Sequence, residues 1–115
     1  MRRAAIVSPL RTGVGGFGGS LRPLTADMLA SAVLKAVIER SGIEPARIDE
    51  VVIAQSYASS EAPCIARYAA LAAGLPIEVP GYTVDRRCGS GLQAVIDAAM
   101  IVATGAADVV VAAGV

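Results

Sequence analysis

The sequence predicts an α/β fold built on a mostly parallel sheet, and three observations carry that expectation. Short strand-type runs at residues 4–7, 51–55, 81–84 and 109–115 alternate with longer helix-type segments, the pattern of a parallel sheet joined by right-handed crossovers. The run Val51-Val52-Ile53-Ala54 is apolar throughout rather than alternating, as expected of a strand covered on both faces. Apolar residues make up 55% of the 115 residues with no Trp and one Phe, so the core is built from small aliphatic side chains that suit tightly stacked layers.

Taken in order, Ala4 to Val7 reads as a first short strand stopped by Ser8 and Pro9. A glycine cluster follows, in which Gly13, Gly15 and Gly18 formally match a dinucleotide fingerprint. That match is set aside. The last glycine of such a fingerprint must open a helix directly, and here Ser20-Leu21-Arg22-Pro23 intervenes, while the next strand ends in Gln55 rather than an acid. A helix is expected over residues 25–41, with Thr25 as cap and Gly42 and Pro45 as stop signals. Asp27, Ser31, Lys35 and Glu39 form its polar stripe, and Leu29, Ala32, Val33, Ala36 and Val37 the opposite face.

The second strand, residues 51–55, is expected to be central in the sheet. A second helix is expected over residues 61–73, with Ser59 or Ser60 as cap, Pro63 in its first turn and Cys64 within it as a structural thiol. Residues 81–84 form a third strand. The helix behind it, residues 92–103, carries only Gln93 and Asp97 as polar residues. A helix apolar all round needs cover all round, and the other elements predicted here are too few to supply it. Residues 109–115 make a fourth strand.

The stretch that joins the third strand to the third helix is Val84-Asp85-Arg86-Arg87-Cys88-Gly89-Ser90-Gly91-Leu92. A helix start carries unpartnered N–H groups and partial positive charge, and cations nearby add to it, so a thiol at Cys88 is placed where thiolate is favoured. Gly89 and Gly91 cost helix stability and offer room for a substrate to approach the backbone. The strand, turn, nucleophile and helix order is also that of acyl-transfer enzymes that use serine. The competing reading is a buried packing cysteine, since free Cys is among the most buried residue types.

Asp85-Arg86-Arg87-Cys88-Gly89-Ser90-Gly91-Leu92-Gln93-Ala94-Val95 resembles the nucleophile motif of thiolases, Asn-x-x-Cys-x-Ser-Gly-Leu-x-Ala. Ile6-Val7-Ser8-Pro9-Leu10-Arg11-Thr12 with Gly16-Phe17-Gly18-Gly19-Ser20-Leu21 is similar to the opening strand and loop of that family, and Gly105 to Gly114 to the strand after the nucleophile helix. The resemblance implies the N-terminal half of a five-layered αβαβα fold, ending after its fourth strand, with residues 1–115 as an incomplete N-terminal domain that lacks the loop domain and the C-terminal domain.

It also implies acyl transfer between a 3-oxoacyl-CoA and CoA, as thiolysis or the reverse Claisen condensation. Cys88 is then the nucleophile that takes up the acyl group, with its own backbone N–H at the oxyanion, and Gly89, Ser90 and Gly91 line the substrate. Coenzyme A and acyl-CoA are substrates, and no permanently bound cofactor is expected. The family's histidine in Gly-His-Pro and second cysteine in Cys-x-Gly have no counterpart here, since the chain has no histidine at all. The expected partner is therefore the remaining thiolase polypeptide, in cis or as a second chain, and by family analogy the assembly is a homo-oligomer pairing near residues 82–84.

Asp85 stands where the family has Asn, and Glu61 to Arg67 departs from Gly-Gln-Asn-x-Ala-Arg-Gln, which leans the reading toward a degradative thiolase of unspecified acyl chain. Two rivals stand beside it. A ketoacyl synthase would carry a motif closer to Thr-Ala-Cys-Ser-Ser, and a non-catalytic thiolase-like subunit that binds acyl-CoA or scaffolds a partner would need no base.

Composition excludes other classes. The formal net charge is zero and no basic stripe appears, so no nucleic-acid or anionic-membrane partner is expected. The apolar run after Met1-Arg2-Arg3 is too short for a signal-peptide core and no run spans a bilayer, which sets a cytoplasmic expectation. Cys64 and Cys88 sit far apart with no histidine, so no metal spacing exists.

Overall fold

A computed structural model describes residues 1–115. Three helices and three strands are ordered α1 (Ala26–Ser41), β1 (Glu50–Ala54), α2 (Ile65–Ala72), β2 (Gly81–Val84), α3 (Ser90–Thr104) and β3 (Val110–Gly114). The sheet has the order β2-β1-β3 and both pairings are parallel, with Ala54 level with Val84 on one side and Gly114 on the other. The carboxyl ends of all three strands therefore lie along one edge.

β1 is the central strand, as its unbroken apolar run predicts. Val51, Val52 and Ile53 are fully buried, and alternate residues serve opposite faces. Val51 and Ile53 join the main core with Leu34 and Ile38 of α1 and Ile65, Ala66 and Ala69 of α2. Val52 and Ala54 pack instead with Ala94 of α3. The result is three layers, with α1 and α2 on one face of the sheet and α3 on the other. Right-handed crossovers produce that split, because the chain moves outward from β1 to β2 over one face and back past β1 to β3 over the other.

Four expectations are corrected. Residues 4–7 form no strand and join no ladder; Ile6 is 79% exposed. Apolar β-type residues make a strand only when a neighbour takes up their N–H and C=O groups. This run instead lies across an apolar groove of about 400 Å³ from β3, whose opposite wall is Val109 to Ala112, so the sheet has three strands rather than four. The N-terminus is anchored elsewhere. Arg2 donates its backbone N–H to the Ala103 carbonyl and its guanidinium to the Val102 and Ala107 carbonyls and Asp108, adding donors at the carboxyl end of α3 and the turn that follows it.

The second helix starts at Ile65 rather than residue 61, because Pro63 biases Ala62 away from helical backbone. Cys64 thus precedes α2 rather than lying within it. Its half-buried sulfur sits 3.6 Å from the Gly81 carbonyl and 3.8 Å from the Thr83 hydroxyl on β2, which suits a structural thiol.

The buried line of α1 is Ala30, Leu34 and Ile38, while Ala32, expected on the inner face, is exposed. The polar stripe leaves most of that helix apolar, and contact with α2 chooses which part is covered. Finally, α3 begins at Ser90, so its first turn follows Cys88 directly. Gly42 (φ 68°) closes α1 and Gly105 (φ 81°) closes α3 in the left-handed conformation that glycine adopts without penalty. Residues 13–20 open no helix. No helix is long and apolar enough to cross a membrane.

Candidate active site

The site is a turn between β2 and α3 at the carboxyl edge of the sheet, where ligands bind in open α/β folds. Residues Arg87–Gly89 make one tight helical turn and α3 continues from it. Arg87 lies at φ 48°, a left-handed conformation that costs a non-glycine residue roughly 1 kcal/mol. Such a residue persists only where its surroundings hold it.

Arg87 is held at three points. Its N–H is donated to Asp85 Oδ1 at 2.9 Å, an Asx-type turn. Its carbonyl accepts from the hydroxyls of Ser56 at 2.8 Å and Ser90 at 2.7 Å. Its guanidinium donates to the Ser56 carbonyl at 2.7 Å and pairs with Asp85 Oδ2 at 3.3 Å. Ser56 follows β1, so these contacts tie the turn to the centre of the sheet. Ser90 is buried, and its hydroxyl also accepts the Arg86 N–H at 2.6 Å and stands 3.2 Å from that of Ser56.

The residues expected at the site separate accordingly. Cys88 is exposed at the head of the turn. Gly89 and Gly91 are exposed too, and a Cβ added at Gly91 would meet no atom within 4 Å. Ser90 differs from its neighbours: its side chain is engaged inside the turn and faces no open space. The N–H of Gly89 is donated to the Arg86 carbonyl and that of Ser90 to the Arg87 carbonyl. No group of three or more His, Cys, Asp and Glu side chains is arranged to hold a metal.

Beside the turn runs a polar chain that sequence reading did not identify. Arg86 donates to Gln93 Oε1, Gln93 Nε2 to Asp97 Oδ1 at 2.7 Å, and Tyr82 to Asp97 Oδ2 at 3.4 Å. Partial burial, then the Asp97 carboxylate, push the Tyr82 phenol above its ordinary value. The spacing of Gln93 and Asp97 at i, i+4 was the available signal; the partners from β2 were not visible in it. Ser56 was likewise missed, because nothing local to it suggests a role.

Three comparisons with known proteins agree on the kinship of the chain. Residues 4–115 match the family model described as "Thiolase, N-terminal domain". An acetyl-CoA acetyltransferase of Cupriavidus necator is 45% identical over 114 residues, covering 99% of this chain and 29% of that protein. A steroid 3-ketoacyl-CoA thiolase of Mycobacterium tuberculosis is 41% identical over 116 residues, covering 100% of this chain and 28% of that protein. The crystal structure of the Bacillus anthracis acetyl-CoA acetyltransferase superimposes with a TM-score of 0.85 at 45% identity, covering 87% of this chain and 25% of that one. The chain thus spans less than a third of the length of these relatives.

Proposed function

Because the chain belongs to the thiolase family, as its N-terminal domain, we propose that it bears the nucleophile of an acyl transfer between a 3-oxoacyl-CoA and coenzyme A. The observation that carries this reading is an exposed Cys88 thiol at the head of a helix, on a turn held from three sides and with open space beside Gly91. The Cys88 sulfur attacks the carbonyl carbon, and the oxygen that takes up negative charge faces the N–H of Cys88, the neighbouring N–H groups of Gly89 and Ser90 being donated within the turn. Gly89 and Gly91 let the acyl group approach; Ser90 supports the turn from beneath. Coenzyme A and acyl-CoA are the substrates.

Breaking the carbon–carbon bond of a 3-oxoacyl group leaves an enolate that must take a proton, and a chain with no histidine lacks the commonest proton donor. The reading therefore assigns a histidine and a second cysteine to further thiolase polypeptide, in cis or as a second chain, that also covers the exposed face of α3. The absence of any histidine equally favours a second reading, a thiolase-like subunit that binds acyl-CoA without chemistry.

One experiment separates them. The chain, combined with the rest of its assembly, is incubated with acetyl-CoA and analysed by peptide mass spectrometry. Acyl transfer predicts an acetyl group on Cys88, lost in Cys88→Ala; a Cys88 that stays unmodified overturns it in favour of the scaffold.

A further inference from the structure

We propose that Asp85 and Arg87 are positioning residues that hold the Cys88 turn in its left-handed conformation, with the Asp85 carboxylate acting through the Arg87 N–H. The inference refines the acyl-transfer reading but stands on geometry of its own. Arg87 is one of only two residues other than glycine with positive φ, and it immediately precedes the thiol. Every polar part of it that could relax is tied down: N–H to Asp85, carbonyl to Ser56 and Ser90, guanidinium to Ser56 and Asp85. Asp85 is the common anchor, since one oxygen takes the backbone N–H while the other meets the side chain.

Released from these ties, Arg87 would return to the right-handed or extended backbone that a β-carbon prefers, and Cys88 would swing with the peptide plane they share. The other positive-φ residue, Ser8, has no comparable set of ties and lies far from the turn in sequence. The proposal accounts for why an aspartate and an arginine, rather than two small turn residues, stand two positions apart here.

The test measures the rate of Cys88 alkylation by iodoacetamide on the 115-residue chain, with Cys64 in the same molecule as the internal reference. Asp85→Ala removes the acceptor, and Arg87→Ala removes the guanidinium while keeping the backbone penalty. Each is expected to slow Cys88 relative to Cys64 by about tenfold, the scale of a backbone conformer held against its preference. Asp85→Asn keeps an acceptor oxygen and is expected to stay within about twofold of the parent; Arg87→Gly, which adopts positive φ freely, is expected to recover most of the loss seen in Arg87→Ala.

A parent-like rate in both alanine variants overturns the proposal, as does Asp85→Asn matching Asp85→Ala or Arg87→Gly matching Arg87→Ala. A variant that unfolds is recognised by the loss of its cooperative urea transition and by a Cys64 that alkylates faster than in the parent; the Asn and Gly variants then decide. Alkylation needs no acyl donor, so this series can succeed while Cys88 fails to take acetyl from acetyl-CoA, and the two failures remain distinct.

Discussion

At the scale of the residue, the turn rests on Ser90 as much as on Asp85. Its buried hydroxyl takes the Arg86 N–H and meets the Arg87 carbonyl. Ser90→Ala leaves those groups short of a partner and is expected to lower unfolding free energy by about 1–3 kcal/mol, read from urea denaturation, whereas Ser56→Ala, with its hydroxyl partly exposed, costs less. Gly91→Ala behaves oppositely: nothing obstructs its methyl, so the isolated chain gains up to about 1 kcal/mol of helix stability while acetylation of Cys88 in the complete assembly falls. Asp49 supplies a pH signature. Its carboxylate accepts the N–H groups of Asp108 at 2.8 Å and Val109 at 2.9 Å, which hold it below the ordinary value of 3.8. A lowered native value means stability that is present above 3.8 and is lost as pH falls through the native value. Asp49→Asn should therefore be less stable than the parent at pH 7, with the gap narrowing toward pH 3 in the same urea assay. Cys88 was legible from its neighbours in the chain; Ser90's role was not, because its partner Ser56 stands 34 residues earlier.

At the scale of the element, glycine positions report how closely backbones meet. A Cβ at Gly81 would sit 3.1 Å from backbone atoms of Ala66 and Arg67, so β2 lies against α2 more tightly than a β-carbon fits without a shift of a few tenths of an ångström. Gly81→Ala forces two backbones apart and is expected to cost about 1–3 kcal/mol in thermal or urea unfolding. The helices and the three strands of the sheet were legible because their periods and stop signals are local. Residues 4–7 were misread for an instructive reason. Their composition is that of a strand, but a strand is a relation between two backbones, and this run pairs with none of the three. The start of α2 was displaced by Pro63, whose effect falls on the residue before it rather than on itself.

At the scale of the molecule, α3 is the telling element. Ala94 and Ala98 face the sheet, while Leu92, Ile96 and Met100 on the other side are 69%, 41% and 55% exposed. The apolar circumference read from the sequence is thus half covered by this chain, in keeping with a helix that other polypeptide covers. Ile96→Lys is expected to change the stability of the isolated chain by no more than about 0.5 kcal/mol, since it touches no core. Under the proposed function, the same variant is expected to lose co-purification with the further thiolase polypeptide which that reading requires, and unimpaired binding would place the junction elsewhere.

What the sequence determined alone rests on near neighbours: alternating elements, the central strand, the stops of the helices, and a thiol set between a strand and a helix. Periodicity, turn residues and a motif are local quantities, and side chains a few positions apart carry them. Tertiary structure decided which apolar runs found a partner, which face of α1 was buried, and how Asp85, Arg87, Ser56 and Ser90 lock the turn before Cys88. Those outcomes depend on contacts between segments that the chain brings together only on folding, because hydrogen bonds and burial are settled by distance in space.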